Sequence, residues 1–136
     1  MNGFVLHERL AADTVAVADL ALCSVRLMND RTWPWLVLVP RRAAIREITD
    51  LTEADRQLLI EEIAVASRAL QSHHSPDKIN IGALGNLVPQ LHVHVIARFT
   101  DDPAWPKPVW GLRPPVSYAA EELDAAVTTL RKALGV

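Results

Sequence analysis

Pro89-Gln90-Leu91-His92-Val93-His94-Val95-Ile96-Ala97-Arg98 reads as a β-strand whose two faces differ in chemistry. Side chains alternate across a strand with period two. Leu91, Val93, Val95 and Ala97 therefore point one way, and Gln90, His92, His94, Ile96 and Arg98 the other. The first row is apolar and belongs in a core. The second aligns an amide, two imidazoles and a guanidinium, a row suited to phosphate chemistry or metal binding. The function is expected on this strand.

Working outward, Lys78 to Ala83 reads as a preceding strand, joined to the first by a loop containing Gly85-Asn86. Before it lies a long helix. Thr52 is a good N-cap, Glu53 and Asp55 complement the helix dipole, and Ser75-Pro76 stops the helix after His73-His74. Between them Leu58, Leu59, Ile63, Ala66 and Leu70 recur at helical spacing. Further upstream, Trp33 to Val39 is a strand stopped by Pro40, apolar enough to be covered on both faces. Arg41 and Arg42 follow in its exit loop. Residues 14–20 and 22–28 are candidate strands, and Asn29-Asp30 is a turn signal. Downstream, Asp101 to Pro115 carries five of the nine prolines and two tryptophans, the mark of an ordered but irregular loop. A C-terminal helix runs from about Ala119 to Leu134, with Leu123, Ala126, Val127, Leu130 and Leu134 on one face. The element order predicts an α+β fold: an antiparallel sheet of about five strands, one long helix and an additional C-terminal helix.

At 136 residues the chain is expected to form one domain over 1–136. Half its residues are hydrophobic and 22% are charged, which argues against disorder. A net charge of -2 gives no reason to expect nucleic acid or an anionic membrane as partner. Cys23 is the only cysteine, which excludes an internal disulfide and a cysteine-based zinc site; set in an apolar run, it reads as a buried, inert thiol. The opening MNGFVLHERLAAD lacks the basic and long apolar regions of a signal peptide, and no apolar run approaches the ~20 residues of a membrane helix. A cytoplasmic protein is expected.

His-x-His on a strand places two imidazoles on one face, and three readings compete. They are histidines without a role; or they ligate a metal; or one is a nucleophile or base whose neighbours orient an anion. Zinc normally takes at least three protein ligands, and nothing in the sequence brings His7, His73 or His74 to the strand. Imidazole, with a reference pKa of ~6.5, suits attack on phosphorus near neutral pH.

Gly85-Asn86-Leu87-Val88-Pro89-Gln90-Leu91-His92-Val93-His94-Val95-Ile96 resembles the signature of the histidine triad (HIT) superfamily, His-x-His-x-His followed by apolar positions. Trp35-Leu36-Val37-Leu38-Val39-Pro40-Arg41-Arg42 looks like that family's central strand and exit loop, and the helix from Thr52 lies where the family has one. The resemblance covers residues 14 to 98. With the Trp105…Trp110-Gly111 loop included, the chain looks like a bacterial subgroup of small HIT proteins. The resemblance implies a HIT-like domain with its core at 14–98 and a C-terminal loop and helix at 99–136. It also implies a nucleotide-binding hydrolase or nucleotidyl transferase acting at the α-phosphate of a phosphoramidate, nucleotidyl sulfate or dinucleoside polyphosphate. The middle histidine, His92 by position, would form a nucleotidyl-histidine intermediate, with the Gln90 carbonyl fixing its tautomer. His94 would contact phosphate or the leaving group, and Asn86 would bind phosphate oxygens. No cofactor and no metal are implied, and family members pair as two-fold homodimers.

The chain departs from the family pattern at several positions. Gln90 stands at the first triad position, Trp35 replaces an upstream histidine, and Leu87 replaces a phosphate-loop serine. The ribose-binding position falls near Leu27, with Asn29 or Asp30 as substitutes. Gln90 cannot shuttle a proton, and loss of a general acid lowers turnover by ~10²–10⁴. The expected catalytic set is therefore His92, His94 and Gln90, and the expected substrate-binding set is Asn86, Arg98, Asn29 and Trp35. For Arg98 a strand-end salt bridge competes with a phosphate contact. Trp35 is read as packing that narrows the site, and Trp105, Trp110 and Arg113 as loop packing. A catalytically weak nucleotide-binding or sensor protein is the alternative, favoured by Gln90 and Trp35; a metal-dependent hydrolase on His92 and His94 is a further one.

Overall fold

Thr52 caps the longest helix as its residue type predicts, its Oγ accepting the Asp55 N–H at 3.2 Å. The computed structural model describes residues 3–136; Met1 and Asn2, the start of the segment read above as no signal peptide, lie outside them. In chain order the elements are α1 (Glu8–Asp13), β1 (Thr14–Asp19), β2 (Cys23–Met28), β3 (Trp35–Pro40), α2 (Glu53–His74), β4 (Lys78–Gly82), β5 (Val93–Arg98) and α3 (Ala120–Ala133), with a 3₁₀ turn at Ile48–Asp50. The strands form one antiparallel sheet in the order β1-β2-β3-β5-β4. This is the α+β, five-stranded antiparallel fold with a long helix and a C-terminal helix expected from the sequence. None of the helices among the described residues is long and apolar enough to cross a membrane.

Both faces of the sheet are covered, and the period-two alternation sorts the side chains between them. Leu36 and Leu38 of β3 join Val93, Val95 and Ala97 of β5 in a core against Leu59, Ala66 and Leu70 of α2 and Leu130 of α3. On the opposite face Trp35, Val37, Val39 and Ile96 pack with Trp33, Leu10 of α1, and Ala104 and Val109 of the proline-rich loop. The sequence reading did not anticipate α1. It also carried the histidine strand too far back. β5 begins at Val93 because Leu91 N–H donates to Ile45 O at 2.9 Å, which takes the preceding residues out of the ladder.

Glu62 sits buried on the inward stripe of α2, where an apolar residue would be expected. Its carboxylate oxygens accept the backbone N–H groups of Leu22 and Cys23, each at 2.8 Å, and so pin the β1–β2 turn to the helix. Burial pushes the neighbouring Cys23 thiol up, with Glu62 adding to the rise, so this thiol is inert at neutral pH. Glu62→Gln replaces one acceptor by an NH₂ that faces an N–H. The expected loss is about 2–3 kcal/mol in urea denaturation; a change below ~0.5 kcal/mol would remove the turn from Glu62's account.

Candidate active site

β5 is flanked by β3 and β4, and this register builds the site. His94 pairs with Val37 on β3 and with Gly82 on β4, while Trp35 pairs with Ile96. Trp35 is therefore the diagonal neighbour of His94 on the same face, within reach of a long side chain. Its indole Nε1–H donates to His94 Nδ1 at 2.9 Å. Gly82, opposite His94, leaves the space that Trp110 fills: a Cβ at position 82 would stand 3.0 Å from Trp110 Cη2. The Trp110 ring centroid lies 5.4 Å from that of His94, and Trp35 lies 5.6 Å from it on another side. His94 is thus enclosed by two indoles and only 5% exposed. Burial, with His92 adding to it, lowers its pKa to about 4, so its ring is neutral at physiological pH.

His92 stands just before the strand, its ring centroid 5.0 Å from that of His94. Its Nδ1 is 2.7 Å from the backbone oxygen of Gln90. A carbonyl only accepts, so Nδ1 carries a proton and, in the neutral tautomer, Nε2 keeps its lone pair. His92 lines a cleft of about 350 Å³ with Arg46, Glu47, Thr49, Leu84 and Gly85. Arg46, which brings a cation to this cleft, was not singled out by sequence reasoning; it lies in the loop between Pro40, where β3 stops, and Thr52, the cap of α2. Among the described residues neither His92 Nε2 nor His94 Nε2 has a hydrogen-bond partner.

The other expected site residues divide. The Gln90 side chain turns away from the histidines: its Oε1 accepts from His7 N–H at 2.8 Å and its Nε2 donates to Val5 O at 2.9 Å. Its contribution at the histidines is its backbone oxygen, and the amide itself ties down the N-terminal segment. For Arg98 the strand-end salt bridge, one of the two expected readings, is formed. Arg98 is 1% exposed and donates to both Asp102 oxygens at 2.8 and 3.0 Å and to Asn80 Oδ1 at 2.7 Å, with the Trp105 ring 5.7 Å from its guanidinium. It forms a buried ion pair that ties the end of β5 to the loop after it. Asn86 is exposed on the loop beside Gly85, whose φ is +73°. Asn29 lies across the sheet in a second cleft of about 320 Å³, which it lines with Trp35, Trp110, Arg113 and Arg9; its Oδ1 accepts from Tyr118 N–H at 3.0 Å. Asp30 is committed to the backbone of Thr32 and Val116. Arg42 forms a paired bond to Asp55, and Arg41 donates to the carbonyls of Leu20 and Ala21, so both brace the exit loop. Trp35, read as packing, is buried beside His94 and donates a hydrogen bond to it. Among the described residues no group of three or more His, Cys, Asp or Glu is placed to hold a metal ion.

Residues 9–101 match the HIT domain family. The chain is similar throughout to solved bacterial histidine triad proteins. One from Bradyrhizobium japonicum is 49% identical, with 96% of this chain and 98% of that one covered and a TM-score of 0.93. One from Sinorhizobium meliloti is 47% identical, with 98% of each covered and a TM-score of 0.95. One from Marinobacter aquaeolei is 49% identical, with 97% of this chain and 96% of that one covered and a TM-score of 0.95. Comparison with curated proteins returns no significant match.

Proposed function

Because this chain belongs to the histidine triad (HIT) family, a family of nucleotide-binding hydrolases and transferases, we propose that it cleaves a nucleoside phosphate derivative at its α-phosphorus through His92. The observation that carries this reading is the 2.7 Å bond from His92 Nδ1 to Gln90 O, which leaves Nε2 unprotonated on the ring that lines the cleft. The Nε2 lone pair forms a bond to phosphorus while the bond to the leaving group breaks, and that electron pair departs with the leaving group. Water, or another acceptor, then displaces His92 from the nucleotidyl-histidine, releasing the nucleotide and restoring the free imidazole. His94 keeps one N–H, on Nε2, which stabilises charge on the phosphoryl oxygens or the leaving atom.

Arg46, which lines the His92 cleft, and Asn86, on the loop next to Gly85, supply a cation and an amide for phosphate, and Asn29 with the face of Trp35 takes the nucleoside. The working unit in this reading is a two-fold homodimer in the cytoplasm, without a cofactor.

Intact-protein mass spectrometry after brief mixing with adenosine phosphoramidate and with diadenosine polyphosphates tests the reading, wild type beside His92→Ala. A nucleotidyl adduct on wild type only, or product release with breakdown too fast to leave one, supports it. Neither adduct nor product, with nucleotide still bound, moves the function to nucleotide sensing; the Gln90 side chain, committed to residues 5–7, is the observation that favours that second reading.

A further inference from the structure

We propose that Trp35 is a positioning residue that locks His94 as a neutral hydrogen-bond donor, so that the site acts on nucleotidyl groups whose leaving group departs as a stable anion. This rests on the nucleotidyl-transfer reading and names the substrate class within it: phosphoric anhydrides and esters of acidic alcohols, ahead of phosphoramidates of basic amines.

The geometry is specific. An indole nitrogen donates and never accepts. The 2.9 Å contact from Trp35 Nε1 therefore requires His94 Nδ1 to be the unprotonated ring nitrogen, and the ring's single proton lies on Nε2. Forming the imidazolium would add a proton at Nδ1 and set two N–H groups face to face between the Trp35 and Trp110 rings, in a position 5% exposed. A histidine at position 35 would tolerate that proton, because imidazole can accept as well as donate. Trp35 cannot. With His94 held neutral, its Nε2–H is far too weak an acid to hand its proton to a departing amine or alkoxide. It steadies developing charge without giving up the proton. When His92 Nε2 bonds to phosphorus, the leaving atom takes the bonding pair and must carry it as an anion until water protonates it. Gln90 does not supply the missing proton, since its amide is bound to His7 and Val5.

Two measurements test this. The first is ¹⁵N NMR of the histidine rings in wild type. His94 Nδ1 is expected at the unprotonated position and Nε2 at the protonated one, and Trp35→Phe is expected to release that preference. A protonated Nδ1 on His94 in wild type overturns the lock, and should Trp35→Phe fail to fold, the wild-type spectrum alone decides. The second uses adenosine 5′-monophosphate esters of phenols of graded acidity. Release by wild type is expected to slow ~10²–10⁴-fold from the most to the least acidic phenol, the usual worth of an absent general acid. Trp35→His is expected to flatten that dependence, an effect that a purely structural role for Trp35 would not produce. Equal rates across the series in wild type overturn the leaving-group rule. No release and no His92 adduct with any ester would sink the nucleotidyl-transfer reading and the leaving-group rule with it, and the spectrum would still report separately on the Trp35–His94 lock.

Discussion

His92→Ala is expected to lower nucleotidyl transfer by ~10⁴-fold or more while leaving nucleotide affinity within a few-fold. The size follows from what the ring does. It supplies the atom that bonds to phosphorus, and no neighbour can replace it: His94 is enclosed by Trp35 and Trp110, and its Nδ1 is taken up by the Trp35 N–H. Affinity is spared because the proposed contacts to phosphate and nucleoside lie on other elements, at Arg46, Asn86 and Asn29. The substitution leaves the core intact, since His92 precedes β5 and belongs to neither hydrophobic cluster. Single-turnover kinetics with diadenosine tetraphosphate, beside equilibrium binding of adenosine monophosphate, separates the two quantities. Restoration of His92→Gly by added imidazole would show that the missing group is the nucleophile itself. A His92→Ala enzyme within ten-fold of wild type would mean that another atom attacks phosphorus.

Local patterns in the chain carried the architecture, and contacts across the sheet carried most of the site's detail. The α2 boundaries were legible because Thr52 and Ser75 act within a residue or two of themselves, and Leu59, Ala66 and Leu70 repeat with the helix period. The two faces of β5 followed from alternation alone. α1 was not legible: it has six residues and one buried side chain, Leu10, too few for a period to show. The identity of His92 and His94 as a pair on one face was legible too, but their tautomers were not, because each is set by a partner that the strand pattern does not name. For His92 that partner is a backbone oxygen; for His94 it is Trp35, 59 residues away and diagonal across β3. Gly82 offered a faint signal, since a lone glycine inside a strand marks a close approach, and here the approach is by Trp110. For Arg98 the competing strand-end salt bridge is the one formed, but its partner was not legible, because Asp102 sits four residues on, past the strand end.

That pair carries the largest expected loss of stability. Asp102→Ala leaves the Arg98 guanidinium, 1% exposed, with Asn80 Oδ1 and the Trp105 face as its remaining neighbours. It also removes the acceptor for the backbone N–H groups of Phe99, Ala104 and Trp105, which start the proline-rich loop. Breaking one side of a buried pair costs about 3–5 kcal/mol, a large share of the ~5–15 kcal/mol of a typical domain. Urea denaturation of Asp102→Asn, alone and combined with Arg98→Met, separates the charge from the loop contacts. The double variant is expected to be more stable than Asp102→Asn, because an uncharged Met needs no partner; a double variant less stable than the single would show that the pair itself is strongly favourable.

The same stability has a two-step dependence on acid. Burial alone would raise the Asp102 carboxyl, but the Arg98 hydrogen bond and the three backbone N–H groups outweigh it and hold it well below the usual carboxylate range. Its contribution is complete above the unfolded value of ~3.9 and is lost as pH falls below that. His94 acts earlier. Its folded pKa of about 4 lies below the ~6.5 of an unfolded histidine, so the unfolded chain binds the extra proton between those values. Stability is therefore expected to fall by about 3 kcal/mol as pH drops from ~6.5 to ~4. His94→Phe should remove most of this first step, leaving the part due to His74, whose pKa burial and His73 also lower, and keep the second; Asp102→Asn should diminish the second, to which Asp50 also contributes, and keep the first. A His94→Phe protein whose stability still declines by the wild-type amount between pH 6.5 and 4 would assign the buried neutral group to a different residue.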